Sequence, residues 1–223
     1  MDKTENRSPA AVGFTVKSGW AAVVLLAGPP KSPRVADSRR IDLSDPVIPE
    51  SRQPYHAGFG TARGEGSELS RLLHSVRRFG SKSVTALIRQ YKKAGYQLAG
   101  AGVVVGSLID PQTIANDHIR IHALEGRLFR SIVEKGVAGN ALPFSIWRER
   151  DLYAVAVKTL RQSESHIRAA VATLGREVDG PWRAEQKAAA VAAWLLLAGR
   201  GRSPRSNRGK GRRPASAAKA EPR

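Results

Sequence analysis

Val12-Gly13-Phe14-Thr15-Val16-Lys17-Ser18-Gly19-Trp20, with the apolar run Ala21 to Ala27 behind it, reads as a short strand, a tight Lys-Ser-Gly turn and a second, buried strand. Gly28-Pro29-Pro30-Lys31-Ser32-Pro33 turns the chain again, and Val35 to Leu43 supplies a third strand. Asp45 to Gly66 holds Pro46, Pro49, Pro54 and four Gly, so it reads as a long irregular connection.

Beyond it the period changes. Leu69, Leu72, Leu73, Val76 and Phe79 have helical spacing, which Gly80 interrupts. Ser81 or Ser83 then caps a second helical segment carrying Val84, Leu87, Ile88 and Tyr91, ended by Gly95. Ala101 to Ile109 is an uncharged, Val-rich run, the pattern of a central parallel strand covered on both faces. His118 to Lys135 reads as a helix and Pro143 to Trp147 as the last strand. Tyr153 to Leu160, His166 to Leu174 and the Ala-rich Ala184 to Ala198 complete the helices. The expected organisation is a flexible leader over 1–10, one α/β domain over 11–198 and a basic tail over 199–223. The tail is rich in Gly, Arg, Ser and Pro and is expected to be disordered.

Composition narrows the function classes. The 223 residues contain no Cys, which excludes disulfides, thiolate metal sites and Cys nucleophiles, and favours a reduced, cytoplasmic setting. The polar start from Met1 to Pro9 is unlike a secretory signal, and no apolar run is long enough to span a membrane. Lys and Arg number 37 against 19 Asp and Glu, a formal charge of +18. The tail carries nine of the bases and one acid, Glu221, so the body is basic as well. Such a balance points to nucleic-acid phosphates as partner.

Three opening strands, then helices alternating with single strands, resemble the ribonuclease H-like layout. Within it the chain looks most like RuvC-type Holliday-junction resolvases. Gly13-Phe14-Thr15-Val16-Lys17-Ser18 resembles that family's opening Gly-Ile-Asp-Pro-Gly-Ser. Val103-Val104-Val105-Gly106 resembles its second motif, a strand ending in Glu, and Glu125-Gly126-Arg127-Leu128-Phe129 sits in the helix that follows. Leu142-Pro143-Phe144 resembles the start of its last strand, and Lys187 to Trp194 its last helix. The resemblance implies carboxylates that hold two Mg²⁺ ions for strand cleavage. This chain has Thr15, Gly106 and Lys187 there, with Glu185 as the one acid close by. On residue identity a two-metal nuclease is therefore not expected.

Other residues offer a different chemistry. His118, His122 and Glu125 stand at i, i+4 and i+7, on one helix face, a pattern open to acid/base work or to a metal. Arg183 and Lys187, one turn apart at the start of the last helix, suit phosphate contact, and Glu185 suits the positive end of that helix. Ser51 to His56 is a polar, aromatic loop whose first reading is a packed turn and whose alternative is a loop lying against a ligand.

The first expectation is thus a nucleic-acid-binding protein without nuclease chemistry. Its contacts would be Lys17, Arg183, Lys187 and the tail residues Arg202, Arg205, Arg208, Lys210, Arg212 and Arg213. No cofactor belongs to that reading. The rival is a hydrolase whose rebuilt site uses His118, His122, Glu125 and Glu185, as acid/base groups or around a single divalent metal. A third reading is a protein-interaction module with a solubilising tail. Oligomeric state is left open by the sequence.

Overall fold

The computed structural model describes residues 9–58 and 61–199. β1 (Pro9–Lys17), β2 (Trp20–Ala27) and β3 (Arg34–Asp42) form the expected antiparallel meander. Ser18-Gly19 closes the first hairpin, with Gly19 at φ 81°, and its carbonyl accepts the Leu43 and Ser44 amides beyond β3. After the short pair β4 (His56–Gly58) and β5 (Thr61–Ala62) comes the long helix α1 (Ser67–Lys93). β6 (Gln97–Val105), α2 (Asp117–Ala138) and β7 (Phe144–Arg148) follow, then α3 (Leu152–Leu160), α4 (Glu164–Leu174) and α5 (Ala184–Gly199). The sheet order is β3-β2-β1-β6-β7, with β6 parallel to both β1 and β7.

Alternation along β1 divides the core into two layers. Val12, Phe14 and Val16 pack with Val23, Leu25, Val103 and the apolar faces of α1 and α2. Ala11, Val24, Leu26 and Val104 meet α3, α4 and α5 on the other face. On that face α5 lies against the strands almost without intervening side chains. A Cβ on Gly13 would stand 1.8 Å from the Ala189 carbonyl oxygen, and one on Gly102 would stand 2.8 Å from Ala192. Glycine in the strands and alanine on the helix are what allow this approach.

Two expected boundaries change. Gly80 does not break a helix; α1 is continuous through it. A Cβ there would meet Ile132 Cγ2 and the Leu43 carbonyl oxygen, each at 2.7 Å, so the glycine serves close packing against α2. The central strand begins at Gln97 and ends at Val105, four residues earlier at each end than expected. Ser107 Oγ accepts the Ile109 amide and Asp110 caps a turn at Pro111, so Leu108 and Ile109 sit exposed in a loop. β1 starts at Pro9, inside the expected leader. Of the expected tail only Gly199 belongs to the described residues, among which no helix is long and apolar enough to cross a membrane.

Gly13→Ala is expected to cost about 3 kcal/mol or more, because neither strand nor helix backbone can move away. Gly126→Ala in α2 meets nothing within 4 Å and is expected to gain about 0.5–1 kcal/mol. Urea unfolding of both variants checks the contrast; similar effects from the two would refute the close seating of α5.

Candidate functional site

Thr15 lies near the C-terminal end of β1, on the α5 face, opposite Val104 of β6 and Ala22 of β2. Its hydroxyl donates to the Glu185 carbonyl at 2.8 Å, and the residue is 1% exposed. The place where the resemblance implies a metal-binding Asp is thus filled by a buried hydroxyl bound to the first turn of α5. Gln186 completes that turn, its Oε1 accepting the Arg183 amide. Glu185 stands in the first turn of α5, where its charge suits the positive end of the helix, and its neighbour supplies the capping hydrogen bond. Trp182 packs on Gly175 and donates its indole N–H to the Val171 carbonyl at 2.9 Å, which seats the chain entering α5.

Around this end of the sheet stand the expected phosphate contacts. Lys17 pairs with Glu149 at 3.3 Å, Arg183 is exposed and Lys187 is half-buried. Arg202, Arg205, Arg208, Lys210, Arg212 and Arg213 lie outside the described residues. Asp110 is engaged by Arg127 at 3.2 Å, and Arg148 pairs with Asp151. Gly106, the first residue after β6, brings no ligand. These donors do not fit a two-metal centre: the hydroxyl is committed to a carbonyl, Lys187 repels cations, and Glu185 alone cannot hold two of them. Among the described residues no three His, Cys, Asp or Glu side chains are grouped to hold a metal.

The histidine pair forms a second locus on the other face, at the start of α2. His118 Nε2 and His122 Nε2 are 3.2 Å apart, with the rings edge to face. Glu125 does not extend this exposed pair; it turns inward and is fully buried. Its Oε1 accepts the Tyr55 amide at 3.0 Å and lies 3.1 Å from His56 Nδ1, while Oε2 has no partner. His56, read from sequence as part of a packed turn, is thereby brought beside His122, ring centroids 5.0 Å apart. His56, His118 and His122 line one cavity of about 650 Å³ together with Arg52, Gln53 and Arg63. Glu185 opens a helix on the opposite face of the sheet and takes no part in this cluster. A histidine at the start of a three-residue strand, aimed at a distant helix carboxylate, leaves no periodic trace, so the signal for His56 was the polar, aromatic character of Ser51 to His56.

Burial raises the Glu125 carboxyl to about 7, against a smaller opposing effect of the Tyr55 amide. Burial, with the electrostatic effect of the neighbouring His118 and His56, lowers His122. Because Glu125 holds its proton more tightly when folded, its contribution to stability is complete below about pH 4.5 and is lost as pH rises through about 7. Glu125→Gln is expected to abolish that loss, so the variant gains on the parent between pH 5.5 and 8.5, by about 2 kcal/mol. Parallel stability curves for the two proteins over this range would refute the buried, proton-holding carboxyl.

No family profile and no curated protein matches the sequence. Among solved structures the chain is similar to Thermus thermophilus RuvC, at 10% identity and a TM-score of 0.51, over 86% of this chain and 96% of that one. It is also similar to T. thermophilus RuvC in complex with Holliday junction substrate, at 9% identity and a TM-score of 0.52, over 86% and 95% of the two chains. Together with the β3-β2-β1-β6-β7 order, these likenesses identify the fold as ribonuclease H-like.

Proposed function

We propose that this protein binds nucleic acid through a ribonuclease H-like domain that has given up metal-dependent strand cleavage. The observation that carries the reading is the Thr15 hydroxyl, buried and donated to the Glu185 carbonyl in the place of a metal-binding carboxylate. An Asp there would set a carboxylate against the Glu185 carbonyl, an acceptor facing an acceptor in place of the hydroxyl donor now buried there. The formal charge of +18 supports attraction to phosphates, and one of the two RuvC structures holds a Holliday junction. Lys17, Arg183 and Lys187 are the proposed contacts on the body, with Arg202, Arg205, Arg208, Lys210, Arg212 and Arg213 of the tail as a second, salt-sensitive set.

Binding, truncation and metal experiments test this reading. Binding of branched, duplex and single-stranded DNA and RNA is expected at about 50 mM salt and is expected to weaken steeply by about 200 mM. Removing 200–223 should lower affinity and flatten the salt slope. Mg²⁺ or Mn²⁺ should produce no cleavage and no rise in thermal midpoint. Thr15→Asp should destabilise the protein by about 3 kcal/mol or more, with no recovery on adding Mg²⁺. Recovery with metal, or cleavage by the parent protein, would overturn the loss of metal chemistry. Failure to bind any of these nucleic acids at low salt would favour the protein-interaction module.

The histidine pocket supports one second reading. Glu125 fixes His56 through Nδ1, the arrangement of an oriented general base, beside His118, His122, Arg52 and Arg63. That set suits metal-independent hydrolysis of a phosphate ester. Cleavage without divalent metal that disappears in His56→Ala or His122→Ala, with folding intact, would establish it.

A further inference from the structure

α1 carries a charge pattern that neither the end of the sheet nor the histidine pocket uses. Taking the helical advance of 100° per residue, Arg71, Arg78, Lys82, Arg89 and Lys93 fall within about 60° of one another. Leu69, Val76, Gly80, Val84, Leu87 and Tyr91, all buried, occupy the opposite side. The cations therefore form one straight outward stripe about 33 Å long. All five are exposed, and among the described residues none takes part in an ion pair.

The acids in this region are already engaged. Glu68, the one acid on α1, is held by Arg63; Asp37 is held by Arg39 and Tyr91; Glu134 is held by Arg130. Arg78 with Lys82, and Arg89 with Lys93, are like charges one turn apart, an arrangement that weakens a helix. A surface helix selected only for solubility would intersperse acids at these positions.

We infer that this stripe is a docking rail for the sugar-phosphate backbone of a nucleic-acid duplex. The inference rests on the nucleic-acid reading and names the surface and the form of ligand. A stiff, straight rail of about 33 Å matches a stiff rod, since that length of duplex carries about 20 phosphates. Single strands are held by aromatic platforms as well as charge. This helix offers none on the stripe, since Tyr91 is buried and Phe79 half-buried. The stripe meets the backbone by charge and shape, the part of a duplex that does not depend on sequence.

The test uses the full chain and two variants. In one, Arg71, Arg78, Lys82, Arg89 and Lys93 are all replaced by Gln; in the other, the three Arg become Lys. Gln is a good helix former, so helix content by circular dichroism is expected to be unchanged. With a 30-base-pair duplex of arbitrary sequence, the slope of log affinity against log salt should fall by about 4 to 5 in the Gln variant. The Lys variant should keep the parent slope, and a 30-nucleotide single strand should lose less than the duplex. If the parent binds duplex and the Gln variant keeps both slope and affinity, the rail is refuted while nucleic-acid binding stands. Equal losses for duplex and single strand would refute the duplex preference. If the parent binds neither probe, the functional reading itself fails.

Discussion

The contact between Gly13 of β1 and the Ala189 carbonyl of α5 governs the arrangement of the sheet's second face and of the strand ends beside it. It allows a helix backbone to rest on a strand backbone, with Gly102 and Ala192 repeating the arrangement one strand over. Side chains of ordinary size would push α5 outward. With α5 this close, its first turn reaches Thr15, and the Glu185 carbonyl becomes the partner of the Thr15 hydroxyl. The same seating buries Ala188 to Ala193 and lets Trp194 donate to the Pro30 carbonyl at 2.8 Å, tying α5 to the β2–β3 turn. One close approach thus fixes a layer of the core and the chemistry available at the end of the sheet.

That chemistry differs from the metal-dependent kind in a simple respect. A cluster of carboxylates at strand ends is mutually repulsive and is made tolerable by the cations it binds. Here the same region is stable as it stands: a hydroxyl meets a carbonyl, and the nearby acids meet Lys17, Arg127 and Arg148. The negative charge of Glu149, Asp110 and Asp151 is already compensated by the protein. The buried, partly unsatisfied carboxyl is found elsewhere, at Glu125, where burial favours its protonated form near neutrality.

How far this could be read from sequence depends on the kind of signal involved. The meander and the alternating strands and helices were legible because burial imposes periods of 2 and 3.6, and the Gly13 to Ser18 stretch carried the turn chemistry. Gly80 misled because glycine signals both helix ends and close packing, and only the position of Ile132 and Leu43 distinguishes the two. Leu108 and Ile109 misled because apolar residues in a loop look like a strand's continuation. His56 was hidden because its partner, Glu125, is 69 residues away. The α1 stripe was visible in principle, since spacings of 7 and 4 keep one face, but the assumed break at Gly80 cut it into halves too short to be recognised.

Continuity of α1 is therefore more than a boundary correction. A helix broken at Gly80 would point Arg71 and Arg78 in one direction and Arg89 and Lys93 in another, and no single rod could meet them all. Gly80 keeps the two halves coaxial by letting Leu43 and Ile132 come in close on the buried side. The like charges on the outer side repel one another, yet they cannot unwind the helix while Val76, Val84, Leu87, Ile88 and Tyr91 remain in the core. Tertiary packing on one face thus holds in line a charge array that the isolated helix would resist. The stiffness that a duplex-binding rail requires comes from the core beneath it.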